Sequence, residues 1–401
     1  MDTKPNNPEP NQTTLDLLRL SLTSGLGPTL TRRAIETLGS PGAVLGASPQ
    51  QLAMVPRIGL ESARRIWQAM RETDEALARE LDAISTHDVS LVTLSDEAYS
   101  ELLGTIPDPP MVLRIRGNLD NALDRYALAI VGSRSCSLTA QEQTTRFASY
   151  LASAGLTIVS GGARGIDTCA HKAALQAGGR TIVVMGCGLS HCYPPENKEL
   201  FEAIIESGGC LISELPMRSA PARENFPSRN RIISGLALGV LVAEAGHKSG
   251  ALITARQAVE EQGREVMAIP GSVADARCAG SNQLLRDGGA TMVLEPRDVL
   301  SLLESPARHL HGGTHATRFT PPPASQPTDI GSSPQIRVQT SSVPTDLSES
   351  QRRLLEVLDV PRDLDEVARV TGIESHVLRA DATMLELRRV VVRQGDKLAR
   401  V

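Results

Sequence analysis

Aromatic side chains are scarce in this chain: Phe, Trp and Tyr make up 2% of 401 residues. An extended platform of stacking rings is therefore excluded, and at most one or two planar groups can be stacked. A positive excess is missing as well. The formal net charge is −5, which argues against a surface coated for wrapping a polyanion, so any phosphate contact must come from a local patch. No apolar run approaches the roughly 18 residues that a membrane helix requires. The first twelve residues are polar and rich in Pro and Asn, without the basic and apolar segments of a signal peptide, so a cytoplasmic location is expected. Six cysteines show neither a CxxC pair nor a disulfide-framework spacing. Cys187, His191 and Cys192 form the one candidate metal cluster, yet structural zinc wants four ligands in paired short spacings, so no metal is expected.

What is present divides into five regions. Residues 1–12 read as a disordered tail. Residues 13–83 carry apolar positions at helical spacing, such as Leu15, Leu18 and Leu22, and read as a small helical module. Residues 84–304 alternate short apolar runs with amphipathic helices. The runs are Ala127–Val131, Leu156–Ser160, Thr181–Met185, Cys210–Ser213, Gly239–Ala243, Glu265–Ile269 and Ala290–Leu294. Continuous apolar strands alternating with helices imply a doubly wound parallel sheet buried on both faces, an α/β fold. Ser90–Leu94 and Met111–Ile115 are candidates to extend its edge. Residues 305–346 are dominated by Pro, Ser, Thr and Gly and read as a disordered linker. Residues 347–401 read as three helices and a terminal hairpin, a winged-helix pattern.

Ligands of open parallel sheets bind where strand ends lead into helices. Five such loops are unusual. In Val131-Gly132-Ser133-Arg134-Ser135 a glycine permits close approach, and the Ser and Arg offer phosphate donors; a plain turn with a solvated Arg is an equal reading. Ser160-Gly161-Gly162-Ala163-Arg164-Gly165-Ile166-Asp167 has three glycines that permit a nest of amides facing an anion. Met185-Gly186-Cys187-Gly188-Leu189-Ser190-His191 approaches GxGxxG but ends on His191, so the dinucleotide fingerprint fails. No GxxxxGK[ST] occurs either. From Met217 to Arg231 there are four arginines against one acid, with Phe226 among them, beside Arg229, Asn230 and Arg231. Arginine forks match phosphate oxygens and a ring can stack a base, which is how single strands are held; a helix with a core Phe and solvated arginines competes evenly. Lastly, Lys248, Ser249 and Gly250 stand where a strand again feeds a helix, with Ser249 alternatively a plain N-cap.

Catalysis has less support. Glu214 and Glu244 both end strands and suit an acid/base pair, but neither Ser133 nor Ser160 sits in a GxSxG elbow. His171 reads as a satisfied helix residue rather than a base. Binding rather than turnover is expected, with no catalytic residue and no cofactor. At the N-terminal end, Ser24-Gly25-Leu26-Gly27-Pro28 and Val55-Pro56-Arg57-Ile58-Gly59-Leu60 look like helix-hairpin-helix turns, suited to a DNA phosphate or to a small bundle for protein contacts. From Glu349 to Val401 ten Lys/Arg balance ten Asp/Glu, which argues for a protein partner, or weak DNA contact, at the C-terminal end.

The ordered run of Ile130-Val-Gly-Ser-Arg134, Ser160 to Asp167, Gly186-Cys-Gly188, Tyr193-Pro194, Phe226-Pro-Ser-Arg-Asn-Arg231, Ser249 to Ala255 and Gly280-Ser-Asn-Gln-Leu-Leu285 strongly resembles the DprA/Smf family of bacterial DNA-processing proteins. The resemblance covers most of residues 110–295. It implies an extended Rossmann-like fold between a SAM-like helical domain and a winged-helix domain, without a required cofactor. It further implies a homodimer that binds single-stranded DNA and helps load RecA in transformation and recombination. DNA binding is carried onto Gly132, Ser133, Arg134, Gly161, Gly162, Arg164, Gly165, Phe226, Arg229, Asn230, Arg231 and Lys248. Dimer contacts fall near Asn282, Leu284 and Leu285. The rival expectation is a nucleotide-processing enzyme on a related fold, whose PGGxGT motif is absent here.

Overall fold

The computed structural model describes residues 10–311 and, further on, 349–358, 362–373, 378, 382, 385, 391–394 and 397–400. Two compact units divide at about residue 322.

In the first unit six helices come first: α1 Gln12–Leu22, α2 Pro28–Leu38, α3 Pro41–Gly46, α4 Pro49–Leu52, α5 Leu60–Arg71 and α6 Asp74–Thr86. Then follow β1 Val89–Thr93, α7 Glu101–Gly104, β2 Val112–Gly117, β3 Ala127–Val131, α8 Leu138–Ser153, β4 Thr157–Ser160, α9 Ile166–Gln176, β5 Thr181–Val184 and α10 Lys198–Glu206. The unit closes with β6 Cys210–Ser213, α11 Asn225–Gly235, β7 Gly239–Val242, α12 Gly250–Glu260, β8 Glu265–Ala268, α13 Ala279–Arg286, β9 Thr291–Met292 and α14 Pro296–His311.

The nine strands form one sheet in the order β1-β2-β6-β5-β4-β3-β7-β8-β9. From β6 to β9 neighbours run parallel, while β1 and β2 join antiparallel at the edge, where the two early runs were expected. Alternate side chains explain why the strands read as unbroken apolar runs. Ala127, Ala129 and Val131 face one core with Ile232, Ile233 and Ala255 of α11 and α12. Leu128 and Ile130 face the other with Phe147, Ala170 and Leu303 of α8, α9 and α14. Each fully buried Leu or Ile contributes about 1.5–3 kcal/mol relative to exposure, so both faces of the sheet drive its formation.

Two expected boundaries shift. The one at 83/84 falls inside α6, because Leu17, Leu18, Leu77 and Ala83 share a core with Val183, Phe201 and Leu211 of the sheet layer. The N-terminal helices are thus packed into the central domain rather than set apart from it. At the other end, α14 continues seven residues past 304: Leu303 and Leu310 are buried in the sheet core and hold the helix down through Pro306. Residues 312–346 of the expected linker and 1–9 of the expected tail lie outside the described residues.

In the second unit, helices Glu349–Glu356 and Leu364–Thr371 share a core that includes Leu354, Leu355, Val367, Leu378, Leu385 and Leu398. Asp363 accepts a hydrogen bond from the Glu366 amide at the start of the second helix, and Gly372 ends it at φ +68°. The expected hairpin pairs Val391–Gln394 with Lys397–Arg400, and Arg362–Asp363 adds a third strand that periodicity did not show. Most of the third helix expected there, residues 374–388, lies outside the described residues.

Candidate nucleic-acid interface

The chain winds from β3 outward through β4, β5 and β6, then returns to place β7 on the other side of β3. This reversal is a topological switch point, where neighbouring loops leave on opposite sides of the sheet and open a crevice. A cleft of about 660 Å³ occupies it. Its walls come from the loop after β3 (Gly132 to Ser135), Ala163 and Asp167 after β4, Arg223 and the cleft-side face of α11 (Phe226, Asn230 and the buried Ile233), and residues between Gly246 and Thr254 after β7.

Arg134 is exposed and lies over the Phe226 ring, 4.8 Å from its centroid. Phe226 is half-buried, and Tyr193 flanks it at 5.9 Å with a 43° tilt. A guanidinium seated on an aromatic face is attracted by the ring and still presents its N–H edge outward. Lys248 and Arg223 are exposed on other walls. Among the lining residues Asp167 is the single acid, and it is buried, so cationic groups dominate the accessible surface. That combination suits a phosphate chain with a planar group lying against Phe226.

Local backbone needs explain two of the glycines. Gly165 has φ +76°, and a Cβ there would lie 2.3 Å from the Ser133 carbonyl oxygen, where the loop after β3 crosses the start of α9. A Cβ on Gly161 would press within 2.6 Å of the Arg229 guanidinium.

Of the twelve expected DNA-binding residues, Gly132, Ser133, Arg134, Phe226, Arg229, Asn230 and Lys248 line the cleft. Five do not. Gly161, Gly162 and Gly165 lie outside the lining, and the loop they build is braced from within. The Ala163 amide donates to the chain's own Asp167, the Gly162 carbonyl accepts from Asn197, and the Gly161 carbonyl accepts from Arg229. Arg164 is exposed and ion-paired with Glu196. Arg231 is buried and bonded to Glu214 at 2.7 and 2.9 Å and to Asp108 at 2.8 Å. Its charge is committed inside the fold.

Arg229 requires a correction of role. Only 6% of its surface is accessible, and its Nη1 donates to the carbonyls of Gly161, at 2.7 Å, and Val184. Burial, aided by the like charge of Arg134, lowers its pKa to about 10, and Asp167 opposes that shift; it stays charged at neutral pH. Burial likewise pushes the Asp167 carboxyl up, against the pull of Arg229. This arginine ties the ends of β4 and β5 together beneath the cleft. Asp167, Arg223, His247 and Thr254 are lining residues that the site assignment missed. Asp167 stood in a quoted motif, but nothing in its spacing signals that it would turn inward.

The acid/base candidates are both engaged. Glu244 accepts from the Ser137 amide at 3.0 Å and its hydroxyl at 2.5 Å, and Glu214 holds Arg231. His171 is fully buried with Nδ1 2.7 Å from Thr181 Oγ1, and burial beside Arg229 lowers its pKa to about 3, so it is neutral at physiological pH. Cys187 and Cys192 direct their thiols to the carbonyls of His191 and Pro194, while the His191 ring meets that of Arg218, so the three do not converge on a metal. Asn282 is tied to Gly271 through both side-chain atoms at 3.0 Å, and Leu284 and Leu285 are partly buried against the sheet core. No helix among the described residues is long and apolar enough to cross a membrane.

A doubly wound sheet with a cation-lined cleft at its switch point defines a Rossmann-like protein equipped for a phosphate-bearing ligand. More specifically, the chain belongs to the DNA recombination-mediator protein A family, whose sequence model matches residues 90–304. It is 42% identical to Protein Smf of Escherichia coli over 245 residues, which span 61% of this chain and 64% of that protein. It is 44% identical to DNA processing protein DprA of Streptococcus pneumoniae over 212 residues, 53% of this chain and 73% of that one. The solved structure of the Streptococcus pneumoniae DprA superposes with a TM-score of 0.63 at 34% identity, covering 73% of this chain and 98% of that chain.

Proposed function

We propose that the cleft binds single-stranded DNA and that the protein acts in the cytoplasm as a recombination mediator, helping RecA onto the strand during transformation and recombination. The observation that carries this reading is Arg134 over Phe226 at the mouth of a cleft whose accessible charge is cationic. A base lying against Phe226 has to be unstacked and unpaired, which a single strand supplies at little cost and a duplex does not. Arg134, Arg223 and Lys248 then neutralise successive phosphates. The role is binding rather than turnover, since Glu214 and Glu244 are consumed by Arg231 and Ser137. Membership of the recombination-mediator family supports the mediator role; RecA as partner and the homodimer are carried over from the family resemblance. For the dimer contact, Asn282 is already spent on Gly271, so it narrows to Leu284, which lines a separate groove with Leu252 and Val259.

The test compares single- and double-stranded oligonucleotides of equal length by fluorescence anisotropy. Preferential single-strand binding that Arg134→Glu abolishes supports the reading; equal affinity for both forms, or an unaffected Arg134→Glu protein, overturns it. Filament assembly by RecA on oligonucleotide coated with single-strand-binding protein, with and without this chain, tests the mediator step.

A further inference from the structure

The face of α11 opposite the cleft leads, through a run of buried ionic contacts, to the N-terminal helices. Phe226, Asn230 and Ile233 recur at helical spacing on the cleft side. Arg231, one residue from Asn230, points away from the cleft and donates two bonds to Glu214. The backbone carbonyl of Glu214 accepts from Arg114 Nη1 at 2.9 Å. Arg114 is fully buried on β2, and its Nε donates to Glu80 of α6 at 2.5 Å, while Nη2 reaches Ser21 of α1 at 3.3 Å. Glu80 in turn accepts from the Met217 amide at 2.9 and 3.1 Å, on the segment leading from β6 to α11.

Buried charges are costly unless each is paired, and a network of this kind has few ways to rearrange without leaving one unpaired. It therefore fixes geometry more than it adds stability. Two of its contacts converge on the β6–α11 connection, at Glu214 and Met217, and a third grips α11 at Arg231. From these contacts we propose that Glu80, Arg114, Glu214 and Arg231 form a positioning relay through which the N-terminal helices set how deeply α11 presents Phe226 and Asn230 to the cleft. The N-terminal helices thereby tune DNA affinity without touching DNA. This inference rests on the cleft being the DNA site, but its geometric half does not.

The experiment uses the full chain carrying Trp67→Phe and Phe226→Trp. Trp67 is the one tryptophan of the sequence, so in this background the sole indole lies in the cleft. Glu80→Gln keeps the shape of the side chain and removes its charge. The expected result is a shifted emission maximum of the cleft indole and oligonucleotide affinity lower by about tenfold. Leu77→Ala, on the same helix and in the core, should lower the melting temperature while leaving emission and affinity unchanged. Should Glu80→Gln fail to fold, Glu214→Gln, whose side chain is 18% exposed, serves in its place. Arg231→Lys, which retains one ionic contact, should recover much of the affinity lost in Arg231→Gln. An unmoved emission maximum overturns the relay, and so does an equal shift in Leu77→Ala. A moved maximum with the affinity of the Trp67→Phe, Phe226→Trp background overturns its role in binding. Arg134→Glu, measured alongside, reports separately on the cleft: retained affinity there refutes the DNA site while the emission still reads the relay.

Discussion

Replacing Arg134 and Phe226 one at a time by alanine separates the two forces assigned to the cleft. Arg134 is exposed and has one close partner, the Phe226 ring at 4.8 Å, so its removal should change folding stability by no more than about 0.5 kcal/mol. In the complex it supplies a charge-assisted hydrogen bond to phosphate, about 1.5–3 kcal/mol, while its seat above the ring is already present in the free protein and adds nothing to binding. Arg134→Ala should therefore weaken binding by about 1.5–3 kcal/mol, roughly 10- to 150-fold. Because one phosphate contact is lost, the slope of log K against log salt should fall by about 0.7. Phe226→Ala removes stacking worth about 1–3 kcal/mol and should leave that slope unchanged. Anisotropy titrations of a labelled oligothymidine at several salt concentrations read both quantities, with thermal melts as the folding control. An Arg134→Ala protein with the wild-type slope would mean that Arg134 does not meet phosphate. A changed slope in Phe226→Ala would mean that the ring acts by holding Arg134 rather than by stacking a base.

Three further outcomes are expected. Arg229→Ala strips the Gly161 and Val184 carbonyls of their donor and leaves buried Asp167 without the cation that pulls hardest on it, so denaturant unfolding should show a loss of about 2–4 kcal/mol; a normally stable variant that merely fails to bind DNA would restore it as a contact residue. His171 has a folded pKa near 3 against an ordinary 6.5, so between those values the unfolded chain binds the extra proton and stability falls as pH falls. In His171→Gln the stability lost between pH 7 and pH 5 should shrink by about 2 kcal/mol, and an unchanged pH profile from urea midpoints would contradict the burial argument. A fragment beginning at residue 84 severs α6 and removes Leu17, Leu18 and Leu77 from a shared core, so it should lack a cooperative melt, whereas residues 10–311 should melt cooperatively and bind oligonucleotide; a well-folded 84–304 fragment would show that the N-terminal helices are dispensable.

The parallel strands were legible because burial on both faces makes each one an unbroken apolar run, and their alternation with amphipathic helices sets them apart. The failed dinucleotide pattern at His191 and the four arginines around Phe226 were equally visible, since they depend on residue type and short spacing alone. Which of those arginines face outward was not. Arg229, Arg231 and Arg134 are alike in composition, yet one braces two strand ends, one is neutralised by Glu214 and Asp108, and one lies exposed over a ring. The partners that decide their roles are up to 123 residues distant in the chain. The glycine-rich loop after β4 was no more legible: Asp167, Asn197 and Arg229 close on it from three elements, with Asp167 taking the Ala163 amide and the other two bonding its carbonyls.

By itself, then, the order of residues determined the α/β class, the strand positions, the family and the neighbourhood of the cleft, all of which follow from local periodicity and short motifs. Tertiary structure alone decided which cations are accessible, and it merged the N-terminal helices with the sheet. Both depend on long-range burial: a charge is free or spent according to the carboxylates and carbonyls folded against it, and no spacing along the chain records that.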